Sequence, residues 1–417
     1  MRARVRIRAA VVAAALAALL GPAANASARV PACPATVGAS SAIVIEVSTD
    51  VVACARHPDR RMPIGSTTKL MTVLLALERA KLSSTFTAVR YHALPAESLV
   101  GLRPGERMKV ADLIRGALVQ SGNDAAMTLA VGVAGSERRF VKLMNARARK
   151  LGLKNTHYAN PVGLDEPGNY STARDLVTLA TVLRTNPFFK RVVDLPQVTL
   201  HSGLRPRTFA NRNDLVRRYG FVNGVKTGHT RDAGYVLVGS AYRNRVQLIS
   251  AVLDTPSEAA RDADTLALFA YAFPRFQNIR AVVKGRVLAQ VPIRYRAGAV
   301  LDLVAARTVR RVVLRGHRRA VSLAIEAPHE VQGPIRRGER LGRVSVRQGG
   351  RVVATVPLVA PRAVPAANLA QRTKSWFRHT WVLVGVALAG FALAMLLARR
   401  RRGTRSGREP RGEARAA

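Results

Sequence analysis

The sequence predicts an α+β chain: a framework of strands and helices brackets a helical insertion, a separate small all-β domain follows, and a membrane helix stands near the C-terminus. Three observations predict this arrangement. Alternating β-branched runs stand on either side of a long stretch whose apolar residues recur at helical spacing. Between residues 280 and 360, short Val, Ile and Leu runs are punctuated by Gly285, Gly298, Gly316, Gly338 and the Gly349-Gly350 pair. Residues 381–398 then carry no charge.

In chain order, residues 1–28 place Arg2, Arg4, Arg6 and Arg8 before the apolar run 9–20 and the small residues 24–28, which reads as a secretory signal peptide. As a membrane span that run is short of the roughly 20 residues a bilayer core needs. Residues 42–52 alternate β-branched side chains and break at Thr49-Asp50, as a strand and turn do. Residues 66–82 put apolar side chains at 70, 73, 74 and 77, a helical spacing, and 110–119, 124–134, 137–150 and 175–183 read as further helices. Alternation returns at 235–241 and 246–253 around the polar Arg243-Asn244 turn, and 262–273 reads as a helix.

After the β domain, residues 361–380 begin rich in Pro and Ala and are expected to form a stalk. The run 381–398, with Trp376 and Trp381 at its start, is long enough to span a bilayer and shows no polar stripe of the kind a core helix carries. Arg399 to Arg402 then begin a basic tail over 399–417. Arginines beside a span stay in the cytoplasm, so the domains before it are expected outside, on a single-pass protein of the cell membrane.

Of 417 residues, 67 are Lys or Arg and 25 are Asp or Glu, a formal net charge of +42, and 48% are hydrophobic. That much apolar material excludes a disordered chain; glycine and proline without a triplet period exclude collagen; two cysteines exclude a disulfide scaffold. Leader and tail arginines explain part of the charge. The remainder makes the exported domains basic, which suits anionic lipid or anionic wall polymers. Nucleic acid is a poor partner for an exported domain without aromatic RNA-binding or DNA-reading motifs. Cys33 and Cys54 both fall in the exported part, so a disulfide is permitted, with two buried thiols as the alternative.

Three short motifs follow one another: Ser66-Thr67-Thr68-Lys69, Ser121-Gly122-Asn123 and Lys226-Thr227-Gly228. Each alone is weak, and the ordered set is what informs. Ser66 at a helix start and Lys69 three residues on share one face. A serine hydroxyl attacks well only when a neighbouring base takes its proton. Lys69 can be that base if it is neutral, and burial with a second cation nearby, for which Lys226 is the candidate, pushes it that way. A helix N-terminus adds positive potential where an oxyanion would form.

The bland reading of Ser66 is a helix N-cap. Ser121-Gly122-Asn123 separates two helices, so Ser121 could relay a proton and the Asn123 amide could bind a peptide group; the bland reading there is a helix stop and cap. Lys226 and Thr227 offer a charge and a hydroxyl to a carboxylate, and Gly228 lets a ligand backbone approach; the bland reading is an exposed sheet edge.

Together these stretches resemble the serine D-alanyl-D-alanine carboxypeptidases, the low-molecular-mass penicillin-binding proteins of the peptidase S11 type. The likeness extends through Met62-Pro63-Ile64-Gly65 before Ser66, where the family usually has Ala in place of Gly65, through Asp124-Ala125-Ala126, and through Leu151-Gly152-Leu153-Lys154-Asn155-Thr156-His157. It continues in Gly163-Leu164-Asp165, in Tyr170-Ser171-Thr172-Ala173-Arg174-Asp175-Leu176, in Gly224-Val225 with His229-Thr230, and in Ala233-Gly234-Tyr235.

The resemblance implies a β-lactamase/D,D-peptidase-like antiparallel sheet with helices over residues 38–275, and it extends more loosely over the β domain at 280–360. It implies that Ser66 attacks a terminal D-Ala-D-Ala bond of a peptidoglycan stem peptide and that Lys69 is the general base. The N–H groups of Ser66 and His229 would form the oxyanion hole, and Ser121 would assist proton transfer to the departing amine. Asn123, Lys226, Thr227, Gly228 and His229 would line the substrate site, with Arg212 near the substrate carboxylate, and β-lactams would act as covalent inhibitors.

The family's further arginine after the strand pair has no counterpart, because Asp254-Thr255-Pro256 stands there. No cofactor or metal is expected, since none of the eight histidines lies in a His-Glu-x-x-His motif. His157 and His201 read as structural or surface residues. The enzymatic alternative is a class A-like β-lactamase, for which Glu166 with Asn169 would supply the deacylating carboxylate. The alternative from another class is a catalytically silent wall-binding protein.

Overall fold

The computed structural model describes residues 30–403, without the side chains of 374–380, 382 and 399–403. The expected signal peptide at 1–28 and residues 404–417 of the expected tail lie outside the described residues. Two compact units divide between Gln277 and Asn278.

In the first unit, β1 (Ser41–Glu46) is buried along its whole length and pairs antiparallel with β2 (Val51–Arg56). A 3₁₀ turn, Gly65–Thr68, leads into α1 (Lys69–Arg79). This helix is buried from Lys69 to Ala76, so the spacing read from sequence belongs to a helix enclosed on all sides. The small hairpin β3 (Thr85–Thr87) and β4 (Arg107–Lys109) precedes α2 (Val110–Arg115), which loosens into a π turn at Gly116–Gln120. Next come α3 (Asn123–Ala134), α4 (Glu137–Lys150), capped by Ser136, and α5 (Ala173–Leu183), capped by Thr172. The short α6 (Pro187–Val193), the hairpin β5 (Gln197–Leu200) and β6 (Arg207–Ala210), and α7 (Asp214–Arg218) complete the insertion.

The chain then returns to the sheet in β7 (Val222–Thr230), β8 (Gly234–Arg243) and β9 (Val246–Thr255), and α8 (Glu258–Ala272), capped by Ser257, packs on β8 and β9. Sheet order is β2-β1-β9-β8-β7, antiparallel throughout, so the two halves of the framework join where β1 meets β9. One apolar core runs from the sheet residues Val236 and Ile249 through Leu70, Met71 and Leu74 of α1 to Leu113, Leu129, Phe140 and Leu176. It fixes α1, and with it the turn carrying Ser66, in the middle of the unit.

Cys33 and Cys54 form a disulfide across 21 residues of sequence. It ties the segment before β1 to β2. Replacing both cysteines by serine is expected to lower unfolding free energy by about 3 kcal/mol, as a crosslink closing a loop of that length contributes, and denaturant titration measures it.

The second unit is all-β where it follows the boundary. Strands β11 (Val287–Pro292), β12 (Val300–Ala305), β14 (Val321–Glu326), β15 (Arg340–Gln348) and β16 (Arg351–Val359) form a sheet in the order β11-β12-β16-β15-β14; β10 (Phe276–Val282) pairs with β13 (Val309–Leu314). Val291, Leu301, Leu303, Val344, Val346, Val356 and Leu358 make its core.

The stalk expected over 361–380 has local structure of its own. Val364 pairs with Ile335, and from Leu369 the chain is helical in α9 (Leu369–Gly403), because nothing beyond Pro365 breaks the helix. The membrane helix expected over 381–398 falls within α9, yet among the described residues no helix is long and apolar enough to cross a membrane. Within α9 the uncharged run is bracketed by Arg372, Lys374 and Arg378 before it and by Arg399 to Arg402 after it.

Candidate active site

Four segments converge on Ser66. The first is its own 3₁₀ turn; the second is the loop 160–165; the third is the junction of the π turn with α3; the fourth is β7, the sheet's edge strand. Three glycines make the approach of the first two and the last possible. A Cβ on Gly163, whose φ is +91°, would lie 2.0 Å from the Gly65 carbonyl oxygen. One on Gly228 would lie 2.7 Å from the Ile64 carbonyl oxygen and 3.3 Å from Ser66 N. Gly65 itself adopts φ +50°, and a Cβ there would meet His229 N at 3.0 Å, so the glycine that departs from the family's usual alanine is used by the backbone.

Ser66 is not an N-cap. Neither Ile64 nor Thr68, the capping positions of the turn and of α1, makes a side-chain cap bond, and the Ser66 hydroxyl instead lies 2.8 Å from Lys69 Nζ. Lys69 also donates to the Val162 carbonyl at 2.6 Å. That carbonyl is held in place from both sides: Asn160 Oδ1 accepts from the N–H groups of Val162, Gly163 and Leu164, and Thr72 donates to the Pro161 carbonyl at 2.6 Å. Lys69 is wholly buried, and burial lowers its pKa to about 7 against the opposing pull of Glu97 and Asp124. A lysine on the first buried turn of α1 is thus poised between its two protonation states.

Across the site, Ser121 ends the π turn in the left-handed region, at φ +67°, a conformation that a non-glycine residue holds only where its surroundings enforce it. Its hydroxyl accepts from Lys226 Nζ at 2.9 Å, and Lys226 also donates to the Thr227 carbonyl at 2.8 Å. Lys226 is 1% exposed. It is held well below the ordinary lysine range by burial first, then by the charges of Lys69, Arg212 and Arg261. Lys226-Thr227-Gly228 lies within the strand β7. β7 is an edge strand, as the bland reading had it, but Lys226 points into the protein and pairs Ser121 rather than solvent.

Asn123, at the first position of α3, is also buried, and its Nδ2 donates to Glu97 Oε2 at 2.5 Å. Arg212 is exposed on the loop before α7, anchored through its N–H to the Val119 carbonyl at 3.1 Å, and its charge reaches Lys226. His229 is exposed and stacks on Tyr235 with ring centroids 4.0 Å apart. Eight of the nine site residues read from sequence lie on these segments, with Lys69 at the C-cap of the turn; Arg212 stands apart, on the loop before α7.

Sequence reasoning missed five contributing residues. The Val162 carbonyl and its Asn160 cradle were signalled by the turn dipeptide Asn160-Pro161. Glu97 and Tyr91, from the irregular segment before Val100, carried no periodic signal. Arg261 lies buried on α8, bound to Asp262 at 2.8 Å and to Glu258 at 3.3 Å; it supplies positive charge near the end of the sheet where Asp254-Thr255-Pro256 offers none. Glu166 accepts from Asn160 Nδ2 at 2.9 Å and shares its surroundings with Glu137, while the carboxylates acting on Lys69 are Glu97 and Asp124.

Comparison with known proteins places this geometry. Residues 26–257 match the family profile described as D-alanyl-D-alanine carboxypeptidase, and residues 276–366 match that of the penicillin-binding protein 5 C-terminal domain. The D-alanyl-D-alanine carboxypeptidase DacF of Bacillus subtilis is 30% identical over 346 residues, which cover 79% of this chain and 87% of DacF. DacA of Escherichia coli is 30% identical over 374 residues, 86% of this chain and 92% of DacA. The solved structure of penicillin-binding protein 5 from Haemophilus influenzae aligns with a TM-score of 0.57 at 29% identity, over 80% of this chain and 99% of that one. A profile spanning more than half of the chain, with relatives matched along most of their own length, makes this chain a member of the S11 D-alanyl-D-alanine carboxypeptidases, a penicillin-binding serine peptidase of D-Ala-D-Ala ends.

Proposed function

We propose that Ser66 is the nucleophile and Lys69 its general base. The observation that carries this is the 2.8 Å contact between the Ser66 hydroxyl and a wholly buried amine whose pKa lies about 7. In its neutral form Lys69 Nζ takes the hydroxyl proton as Oγ attacks the carbonyl of the penultimate D-Ala. The oxyanion develops beside the N–H groups of Ser66 and His229, which the three glycines bring close.

Collapse of the tetrahedral species breaks the peptide C–N bond. The terminal D-Ala amine receives the proton that Lys69 took, relayed through Ser121, which Lys226 holds in hydrogen-bond contact, and Lys69 is neutral again. Water then attacks the acyl ester, its proton passing to Lys69; the bond from the acyl carbon to Ser66 Oγ breaks, Lys69 returns that proton to Oγ, and both side chains are restored. Lys226, Thr227 and Arg212 offer the positive charge and hydroxyl that a terminal carboxylate requires, Gly228 leaves room for the ligand backbone, and Asn123 binds the peptide on the acyl side.

We further propose that the chain is exported, works outside the cytoplasm on peptidoglycan stem pentapeptides, and is tethered through 381–398. The arginine-led leader, the uncharged run followed by four arginines, and the Cys33–Cys54 disulfide support this reading. Exposed Trp381, Leu383, Leu388 and Phe391 on α9 fit a helix that meets lipid. The β-lactamase reading is disfavoured because Glu166 is engaged by Asn160. The two separate by product. Free D-alanine released from a pentapeptide, with a penicillin held as a long-lived adduct, is expected; rapid penicillin turnover without D-alanine would reject the carboxypeptidase assignment.

A further inference from the structure

One acidic group in the site has no part in the steps above. Glu97 lies in the irregular segment before Val100, half-buried, and its carboxylate gathers three donors: the Tyr91 hydroxyl, the Leu94 N–H at 2.9 Å and Asn123 Nδ2 at 2.5 Å. A carboxylate only accepts, so this contact decides which way the Asn123 amide faces. One of its two Nδ2 hydrogens goes to Glu97. Its Oδ1 is turned away, buried, and without a hydrogen-bond partner among the described residues. Asn123 is 5% exposed, so the group cannot flip to bulk water for a partner. Its backbone N–H is also tied to the same segment, donating to the Ser98 carbonyl at 2.8 Å.

We propose that Glu97 is a positioning residue for the reaction: by accepting from Asn123 Nδ2 it fixes the orientation of that amide at the edge of the site, and it holds a negative charge beside the Lys69 amine. The proposal rests on the roles assigned to Ser66 and Lys69 above.

The charged groups facing Lys69 come from three elements: Glu97 from the segment before Val100, Asp124 from α3 and Lys226 from β7. Asp124 is occupied by backbone, accepting from the N–H groups of Val100 at 3.0 Å, Leu102 at 2.9 Å and Ala125 at 2.9 Å. Those bonds give it a purely local reason to be there. Glu97 has no comparable structural duty beyond its own short loop, yet its carboxylate is spent on a residue of the site. Partial burial works to raise the Glu97 carboxyl, but the bonds from Tyr91, Leu94 and Asn123 and the Lys69 charge outweigh it, so the group is ionised throughout the working range.

The test compares the full-length wild type with Glu97→Gln and Glu97→Asp. The readout is the second-order rate of acylation by a reporter penicillin against pH. Loss of the carboxylate removes an interaction that raises the Lys69 pKa, so the acid limb of Glu97→Gln is expected to move to lower pH by about one unit. Its plateau is expected to fall roughly tenfold, as loss of a charge-assisted bond on Asn123 would cause. Glu97→Asp, which keeps the charge, is expected to leave the limb where the wild type has it. A Glu97→Gln limb within about 0.2 unit of wild type would overturn the proposal, since a loop that only packs would not move it. Absence of any acid limb near neutrality in the wild type would overturn instead the assignment of Lys69 as base.

Discussion

Ser66→Ala is expected to lower D-alanine release from a stem pentapeptide by roughly ten-thousandfold while leaving the fold intact. The expectation follows from where the hydroxyl sits. It caps no helix, and the one side-chain contact it makes among the described residues is with Lys69, 2.8 Å away. Removing it takes away the atom that forms the acyl bond and little else that holds the turn. The turn is kept by Gly65, Gly163 and Gly228 packing backbone on backbone and by the Thr67 hydroxyl donating to the Ile64 carbonyl at 2.7 Å. Melting temperature should therefore stay close to wild type, and continued D-alanine release by the variant would exclude Ser66 as nucleophile.

The second large effect concerns the charge on Lys69. Its amine is wholly buried, and burial brings the pKa from 10.5 to about 7. A base must be unprotonated to accept the Ser66 proton, so the reactive fraction is about one half near pH 7, nearly complete a unit or more above it, and approaches a tenfold fall for each unit below it. Acylation rates plotted against pH should rise with unit slope up to about neutrality and then level. Lys69→Arg keeps a positive charge and a hydrogen-bond donor at nearly the same place but stays protonated at every accessible pH. It is expected to acylate roughly a thousandfold more slowly, or worse, across the whole profile. A variant with near wild-type rates would show that charge, not proton transfer, is what Lys69 supplies.

Much of this site was legible in the sequence because its central contacts are local. Ser66 and Lys69 are three residues apart, and any helical or 3₁₀ path brings them together. Their exact setting was less legible: the spacing at 70, 73, 74 and 77 gave the helix, but the 3₁₀ turn before it depends on Gly163 and Gly228, which arrive from distant segments. The pairing of Ser121 with Lys226 spans 105 residues, and the ordered motifs together with the family resemblance pointed to it where no periodicity could.

The framework strands at Gly234–Arg243 and Val246–Thr255 were readable from alternation, and so was the small β unit from its glycine punctuation. Strand β7 was legible only as an exposed sheet edge, because Lys-Thr-Gly interrupts the β-branched pattern; that Lys226 faces inward is shown by its burial in the strand paired with β8. The helix read over 110–119 ends early, since Gly116–Gln120 widens into the π turn that delivers Ser121 in a left-handed conformation. Helices α6 and α7 and the hairpin β5–β6 are too short for a periodic signal, and they owe their form to packing around the insertion. Glu97 could not have been found this way at all. It stands 26 residues from Asn123 in a segment without regular structure, and only the folded chain brings its carboxylate to that amide.

The central claim is that one serine, served by a neutral lysine a turn away, carries the acyl group. The most direct measurement is the site of attachment of a penicillin, mapped by mass spectrometry on proteolytic fragments of the full-length protein. The account predicts a single acyl adduct on the fragment containing Ser66, lost in Ser66→Ala. An adduct on any other residue, or one that persists after that substitution, would contradict it.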